Sequence, residues 1–133
     1  NLLGPFFLPS IQQGKLAIAL RPETRLQMIA VQDIGRYGLR AFERHEALNG
    51  RAIDIASDEL TGPQAAEILS EVTGRRITFE ATPIAQVRAA SEEYAVMLEW
   101  FDDVGYDADI EGTARELDVE LTPFREWARE QSW

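Results

Sequence analysis

The amino-acid sequence predicts an α/β fold in which a small sheet packs against helices. Short apolar segments bounded by turn residues alternate with longer segments whose apolar residues recur every three or four positions. Residues that favour helix ends separate the two kinds of segment: Asp33, Thr61 and Thr122 each precede a helical segment, and Gly74 follows one. Because strands and helices alternate along the chain, we expect parallel strands joined by crossover helices.

Four segments are predicted to be strands. The first two, Lys15–Leu20 and Leu26–Val31, are separated by the turn Arg21–Thr24 and are predicted to pair as a β-hairpin. The others are Arg51–Ala56 and Arg76–Ala81. A sheet this small would leave its edges unpaired, so the chain is predicted to be part of a larger layer.

The helices are predicted from caps and periodicity. The start of the chain, Asn1–Gln13, allows helix only in pieces, since it is interrupted by Pro5 and Pro9. Asp33 is predicted to cap the next helix, which ends before Asn49. Its predicted buried face consists of Ile34, Tyr37, Gly38, Ala41 and Phe42. The remaining helices are predicted to be one from Thr61 to Gly74 with a capping box, a long one over Ile84–Asp103, one over Ile110–Leu117, and one capped by Thr122 with Pro123 at its first position.

Composition limits the classes of function. The length of 133 residues allows one compact domain, and the absence of cysteine excludes disulfides and thiol catalysis and suits a cytoplasmic location. No apolar run reaches the roughly 18–20 residues that a membrane span requires. The net charge is +3 over residues 1–45 and −13 over residues 46–133, so direct nucleic-acid binding is not expected. The asymmetry fits either a solvated acidic surface or a basic front end that faces an anionic cofactor or an acidic neighbour.

The sequence contains no self-sufficient catalytic constellation. Gly35 and Gly38 lie within a predicted helix, so they do not form a phosphate-binding loop. His45 is the only histidine, and no second metal ligand stands at a suitable spacing from it. Tyr37 precedes Arg40 by three positions, so a Tyr-x-x-x-Lys arrangement is absent. We therefore predict neither a catalytic residue nor a metal site within this chain.

The most suggestive region is the apolar front end. Leu2, Leu3, Phe6, Phe7 and Leu8 place bulky side chains around a proline-interrupted helix. Two interpretations are open: these residues belong to the core, or they form the apolar wall of a substrate pocket in which aromatic rings stack against a flat ligand.

Several segments resemble the NmrA-like branch of the atypical short-chain dehydrogenases/reductases. They are Asn1–Gly4, Leu26–Gly35, Leu48–Ala56 and Asp58–Thr61, followed by the helix that ends at Gly74. The resemblance covers roughly residues 1–85. It implies that residues 1–133 are the C-terminal, substrate-binding part of a Rossmann-like NAD(P)-binding fold, and that the N-terminal dinucleotide-binding half is not included.

The resemblance also implies a site and two functions. Asn1 would border the nicotinamide, and Asn1, Leu2, Phe6, Phe7 and Met28 would border the substrate. The whole protein would bind NADP or NAD, whereas this chain alone would not. The whole protein would be either an NAD(P)H-dependent oxidoreductase acting on a flat quinone-like or carbonyl substrate, or a non-catalytic NAD(P)-sensing regulator that binds a protein partner. Assembly into a homo-oligomer is compatible with both functions. The plainest alternative is a stable fragment without activity of its own.

Overall fold

A computed structural model of the chain describes residues 2, 4 and 7–133. Helices and strands alternate along it, as the sequence predicts. In chain order, the elements are α1 (Leu8–Gln12), β1 (Lys15–Ile18), β2 (Arg25–Met28), α2 (Val31–Glu43), α3 (His45–Leu48), β3 (Asp58–Thr61), α4 (Gly62–Thr73), β4 (Thr78–Ala81), α5 (Ile84–Ala90), α6 (Glu92–Asp103), α7 (Ile110–Leu117) and α8 (Phe124–Arg129).

The strands form two small sheets. β1 pairs in parallel with β4, with Leu16 opposite Phe79, and β2 pairs antiparallel with β3, with Met28 opposite Asp58. The predicted α/β class is confirmed, and the pairing of β1 with β4 is parallel, as expected for strands joined by crossover helices.

The predicted hairpin between Lys15–Leu20 and Leu26–Val31 is wrong, because each strand pairs with one that comes much later in the chain. The connecting turn is bound to the end of α6: the backbone N–H of Arg21 and the hydroxyl of Thr24 both donate to the Asp102 carboxylate. The turn therefore joins strands of two different sheets instead of closing a hairpin.

The prediction of a strand at Arg51–Ala56 is also wrong. That segment has no strand partner among the described residues, and β3 begins only at Asp58. The capping box that starts α4 is confirmed, since Thr61 Oγ1 accepts from the Gln64 N–H and the Gln64 side chain accepts from the Thr61 N–H. Gly74 ends the helix with a φ of 66°, in the left-handed region.

Two other predicted caps are wrong for a shared reason. Ala30 is the N-cap residue of α2, and Asp33 lies inside the first turn, where its carboxylate is fully buried. Pro123, rather than Thr122, is the N-cap residue of α8. Asp33 and Thr122 bind each other instead of capping their helices, and Asp58 accepts the hydrogen bond from the Phe124 N–H at the start of α8.

The predicted long helix over Ile84–Asp103 is divided at Ser91. Ser91 is extended, with φ −156° and ψ 117°, and its hydroxyl accepts a hydrogen bond from the Tyr94 N–H at 3.2 Å. A serine can satisfy free N–H groups at a helix start, so this residue ends α5 and caps α6.

The buried face predicted for the helix after Asp33 is largely wrong. Tyr37 is only 4% exposed, but Phe42 is 82% exposed, and Ile34 and Ala41 are exposed as well. The helix turns Asp33 and Tyr37 towards the core, which leaves its apolar residues on the outer side.

The largest core cluster lies where α4 packs between the parallel sheet and α8. Its most deeply buried side chains are Ile11, Leu16 and Leu69, and Phe124 contributes an aromatic ring from α8. This cluster fixes α8 beside the β2–β3 sheet, and the space between those elements forms the site described next.

Candidate substrate site

A cavity of about 650 Å³ lies where the end of β2, the start of α2, the start of β3 and α8 meet. It opens to solvent between these elements. Its lining consists of Leu2, Met28, Ile29, Val31, Gln32, Ser57, Asp58, Thr122, Phe124, Trp127 and Gln131. The volume is within the range typical of small-molecule sites in proteins.

One wall of this cavity is aromatic. The rings of Phe124 and Trp127 lie on successive turns of α8 and are stacked, with centroids 5.6 Å apart and planes inclined by 29°. Trp133 packs edge-on against Trp127 at 5.8 Å, and its indole N–H donates to the Ala128 carbonyl. Met28, at the end of β2, adds a flexible apolar side chain. Such a wall is suited to contact with a flat, unsaturated ligand.

Another part of the lining is polar and is held by a buried carboxylate. Asp33 Oδ2 accepts from Ser57 Oγ at 2.6 Å and from the Thr122 N–H at 2.7 Å, and Asp33 Oδ1 accepts from Thr122 Oγ1 at 2.9 Å. The guanidinium of Arg36 lies 2.6 Å from the same Oδ1. One side chain therefore joins α2, the segment before β3 and the segment before α8.

The environment of Asp33 keeps it ionised. Burial alone would raise the pKa of this carboxyl, but the hydrogen bonds from Ser57 and Thr122 and the charge of Arg36 outweigh it and lower the pKa below its ordinary value. A carboxylate fixed in this way does not release or take up a proton near neutral pH. Asp33 is therefore a structural anchor.

Other polar groups of the wall are partly engaged. The Asp58 carboxylate accepts from the N–H groups of Glu59 and Phe124, both at 2.8 Å. Gln131 donates to the Trp127 carbonyl at 2.9 Å. The Gln32 side chain forms no hydrogen bond with the described residues, and it is exposed at the cavity mouth. Gln32 is thus the lining amide that is available to a ligand.

The structure brings together two of the predicted site residues. Leu2 and Met28 line the same cavity. Phe7 instead lines a second, more apolar cavity of about 720 Å³ between β1, α5 and α6. Asn1 and Phe6 lie outside the described residues.

Sequence reasoning missed most of the lining. No local pattern marked Ser57, Asp58 and Thr122 as residues of a site, because the segments that meet at this wall lie 24 to 89 positions away from Asp33 in the chain. Phe124 and Trp127 were not among the predicted site residues. Gly35 and Gly38 lie inside α2, in agreement with the prediction that they form no phosphate-binding loop.

The described part of the chain contains neither a cluster of metal-binding side chains nor a helix that could span a membrane. Across residues 2, 4 and 7–133, no group of three or more acidic or histidine side chains is gathered as a metal site. Within the same residues, no helix combines the length and the apolar character needed to cross a bilayer.

Comparison with known structures defines the class of protein. The fold is similar to that of a nucleoside-diphosphate-sugar epimerase from Staphylococcus aureus (TM-score 0.75, 18% identity, 96% of this chain and 48% of that one). It is also similar to NmrA, a negative transcriptional regulator solved in complex with NADP (TM-score 0.66, 21% identity, 87% and 42%). A third match is an NADPH-dependent quinone oxidoreductase from Escherichia coli (TM-score 0.66, 15% identity, 91% and 47%). The chain therefore has the mixed α/β fold found in part of these Rossmann-like proteins.

The chain belongs to the NmrA-like family, which it matches over residues 3–128. Among curated proteins, it is similar to the mitochondrial L-threonine 3-dehydrogenase of Bos taurus, with 30% identity over 87 residues, or 64% of this chain and 23% of that protein. The chain spans slightly less than half the length of the solved structures named above.

Proposed function

We propose that this chain is the C-terminal, substrate-side part of an NAD(P)H-dependent oxidoreductase that reduces a flat quinone-like or carbonyl substrate. The proposal depends chiefly on the cavity in which Phe124, Trp127 and Met28 face a polar wall. It is further supported by the family and by the share of the relatives' length that the chain covers, since a half-length match leaves room for a separate dinucleotide-binding half. Whether the cofactor is NADP or NAD is left open, because NmrA itself has been solved with each.

In this proposal, the chain binds and orients the substrate and excludes water. Leu2, Met28, Phe124 and Trp127 enclose the flat ring, and the Gln32 amide donates to a substrate oxygen. A nicotinamide held by the other half would supply a hydride, and the accompanying proton would come from solvent at the open side of the cavity. Burial between apolar walls removes water from the reacting atoms.

The remaining predicted residues keep their roles as proposals. Asn1 would contact the nicotinamide and the substrate, and Phe6 and Phe7 would extend the apolar wall. Phe7 lines the second cavity, so it could contact the substrate only if that cavity joined the substrate cavity in the whole protein. No catalytic residue is assigned within the chain.

A second candidate is a non-catalytic NAD(P)-sensing regulator. It is favoured by the similarity to NmrA and by the environment of the buried Asp33, whose hydrogen bonds from Ser57 and Thr122 keep it ionised, so that it has no proton to donate. A regulator would act through a protein partner or a second copy of the chain, and the presence of such a partner stays a prediction. A cytoplasmic location also stays a prediction. Quinone-dependent oxidation of NADPH by the whole protein would exclude this candidate.

The two methionines of the chain provide a matched test of the proposed site. Met28→Ala in the whole protein should raise KM for 1,4-benzoquinone about 5- to 10-fold, because it removes apolar surface that the substrate covers. The Kd for NADPH should stay within about twofold, since the loss is confined to substrate contact.

Met97→Ala is the control, because Met97 lies on the partly exposed face of α6, away from the cavity. Steady-state kinetics with each variant and a fluorescence titration of NADPH measure both quantities. Equal effects of the two substitutions, or an equal loss of NADPH and quinone binding in Met28→Ala, would place Met28 among the packing residues.

A further inference from the structure

A third cavity, of about 390 Å³, lies beside β2 and the end of α6, and we call it the Trp100 cavity. Gln27 lines it, whereas the next residue of the strand, Met28, lines the substrate cavity. Because successive side chains of a strand point to opposite faces of a sheet, the two cavities lie on opposite sides of the β2–β3 sheet. The volume is at the small end of the range typical of ligand sites, so this cavity suits a small ligand.

Two aromatic rings form a corner of the Trp100 cavity. The rings of Trp100 and Tyr106 have centroids 5.9 Å apart and planes inclined by 86°. Phe101 contacts both, with centroids 5.6 Å from Trp100 and 4.9 Å from Tyr106, and packs against the buried Leu20 and Leu98. Trp100 is 45% exposed and Tyr106 is 41% exposed. The rings are therefore fixed from behind, and part of their surface is open to a ligand.

The segment that follows α6 is fixed at both ends. Gly105 has a φ of 74°, and its N–H donates to the Trp100 carbonyl at 3.0 Å, so the chain turns back and places Tyr106 beside Trp100. The amide of Gln27 then donates to the Ala108 carbonyl at 3.0 Å and accepts from the Ala108 N–H at 3.1 Å. The cavity is thus formed before a ligand binds, and a preformed site reduces the cost of ordering on binding.

The charged groups of this lining are acidic. Asp54 and Asp107 line the cavity, both are exposed, and neither side chain forms a hydrogen bond or an ion pair with the described residues. The described lining contains no lysine, arginine or histidine. The face of an aromatic ring and a nearby carboxylate both attract a cation and repel an anion. The cavity is therefore complementary to a positively charged ligand.

We propose that the Trp100 cavity binds a small organic cation of the guanidinium or alkylammonium class, with its charged group against the rings of Trp100 and Tyr106 and with Asp54 and Asp107 as counter-charges. A guanidinium stacks on an aromatic face while its N–H groups donate to carboxylates, and an ammonium group is attracted to the same ring faces. A hard metal ion fits less well, because it requires several oxygen ligands rather than ring faces. This site goes beyond the proposed function, since a reductase and a regulator could each carry it.

A pair of probes of the same shape tests the charge of the ligand. Titration of the whole protein with n-butylguanidinium, followed by NMR, should give saturable shifts at the Trp100 indole and at the amides of residues 105–108. The expected Kd is on the order of 0.1–1 mM, as for a ligand of few atoms. n-Butylurea is planar but neutral and should bind at least about tenfold more weakly. Equal affinity for the two probes, or no saturation by about 10 mM n-butylguanidinium, would overturn the proposal.

Substitutions test the two parts of the site separately. Trp100→Leu should raise the Kd for n-butylguanidinium about 5- to 20-fold, because it removes the larger ring face. Asp107→Asn removes one counter-charge at an exposed position, where the fold tolerates it, and should raise the Kd about 2- to 5-fold. Glu46→Gln is the matched control, because it removes the same charge at an exposed residue that does not line the cavity. It should leave the Kd within about 1.5-fold.

Three further outcomes would contradict this inference. Trp100→Leu could leave the affinity unchanged, or Glu46→Gln could weaken binding as much as Asp107→Asn does, which would indicate general attraction to an acidic surface. Acetyl-arginine amide could also bind more than about tenfold more tightly than n-butylguanidinium, which would assign the cavity to an arginine of a protein partner. None of these readouts involves NADPH, so failure of the proposed reductase activity and failure of the cation site are distinguishable.

Discussion

Replacing Asp33 with Ala should lower the free energy of unfolding of the isolated chain by about 3–5 kcal/mol. The substitution removes an acceptor that is fully buried and leaves three donors, two from Thr122 and one from Ser57, without their partner. Because these donors lie in segments far apart in the chain, their loss frees the α8 region from α2. Urea denaturation followed by circular dichroism measures the change.

Asp107→Ala is the matched control, because Asp107 is an exposed aspartate whose side chain forms no hydrogen bond with the described residues. It should change stability by less than about 0.5 kcal/mol. A similar loss in both variants would show that Asp33 does not hold the polar wall of the cavity.

The contribution of Asp33 should also depend on pH. Its pKa is lower in the folded chain than its ordinary value of 3.8, so the folded state favours the ionised form and the stabilisation is complete above about pH 4–5. As the pH falls below 3.8 and through the lower folded-state pKa, the stabilisation is lost. The difference in stability between the wild type and Asp33→Ala should therefore be constant near neutrality and shrink in acid. A difference that grows in acid contradicts the stated direction.

Leu69→Ala should cost the isolated chain about 2–5 kcal/mol, as expected for a leucine truncated in a well-packed core. Leu69 is completely buried on α4, in the cluster that includes Leu16, Ile77 and Phe124. Because Phe124 also belongs to the aromatic wall of the cavity, the substitution should loosen that wall and red-shift the tryptophan emission of the native state by less than unfolding does.

Leu39→Ala provides the corresponding surface substitution, since Leu39 is more than half exposed in the isolated chain. Its effect on the same denaturation curve should be below about 0.5 kcal/mol. If Leu69→Ala were as mild, the cluster around α4 would not be the main core.

Local signals in the sequence were sufficient for several features of the fold. The Thr61–Gln64 capping box and the left-handed Gly74 depend on neighbouring residues alone, and both are present. The α/β order of elements also follows from local periodicity. By contrast, Asp33 has a side chain suited to an N-cap but lies three residues after the N-cap residue Ala30. Its carboxylate accepts hydrogen bonds from three donors in distant segments instead of capping the helix.

Pairing and burial required long-range information. The hairpin prediction failed because β1 pairs with β4 and β2 pairs with β3, both of which come much later in the chain. The prediction of the buried face of α2 was wrong because the spacing of apolar residues identifies a face of the helix but does not show whether the rest of this chain covers that face. Met28 was predicted by resemblance and lines the cavity, whereas its neighbours Phe124 and Trp127 were not predicted, since nothing local links β2 to α8.

Calorimetric titration of NADPH and NADH into the isolated chain and into the whole protein would show which part of the polypeptide binds the dinucleotide. We propose that these residues form the walls of a substrate cavity and that the phosphate-binding elements lie in another half of the polypeptide. We therefore expect saturable binding by the whole protein and no measurable heat of binding with the isolated chain. Saturable micromolar binding by the isolated chain, or none by the whole protein, would contradict it.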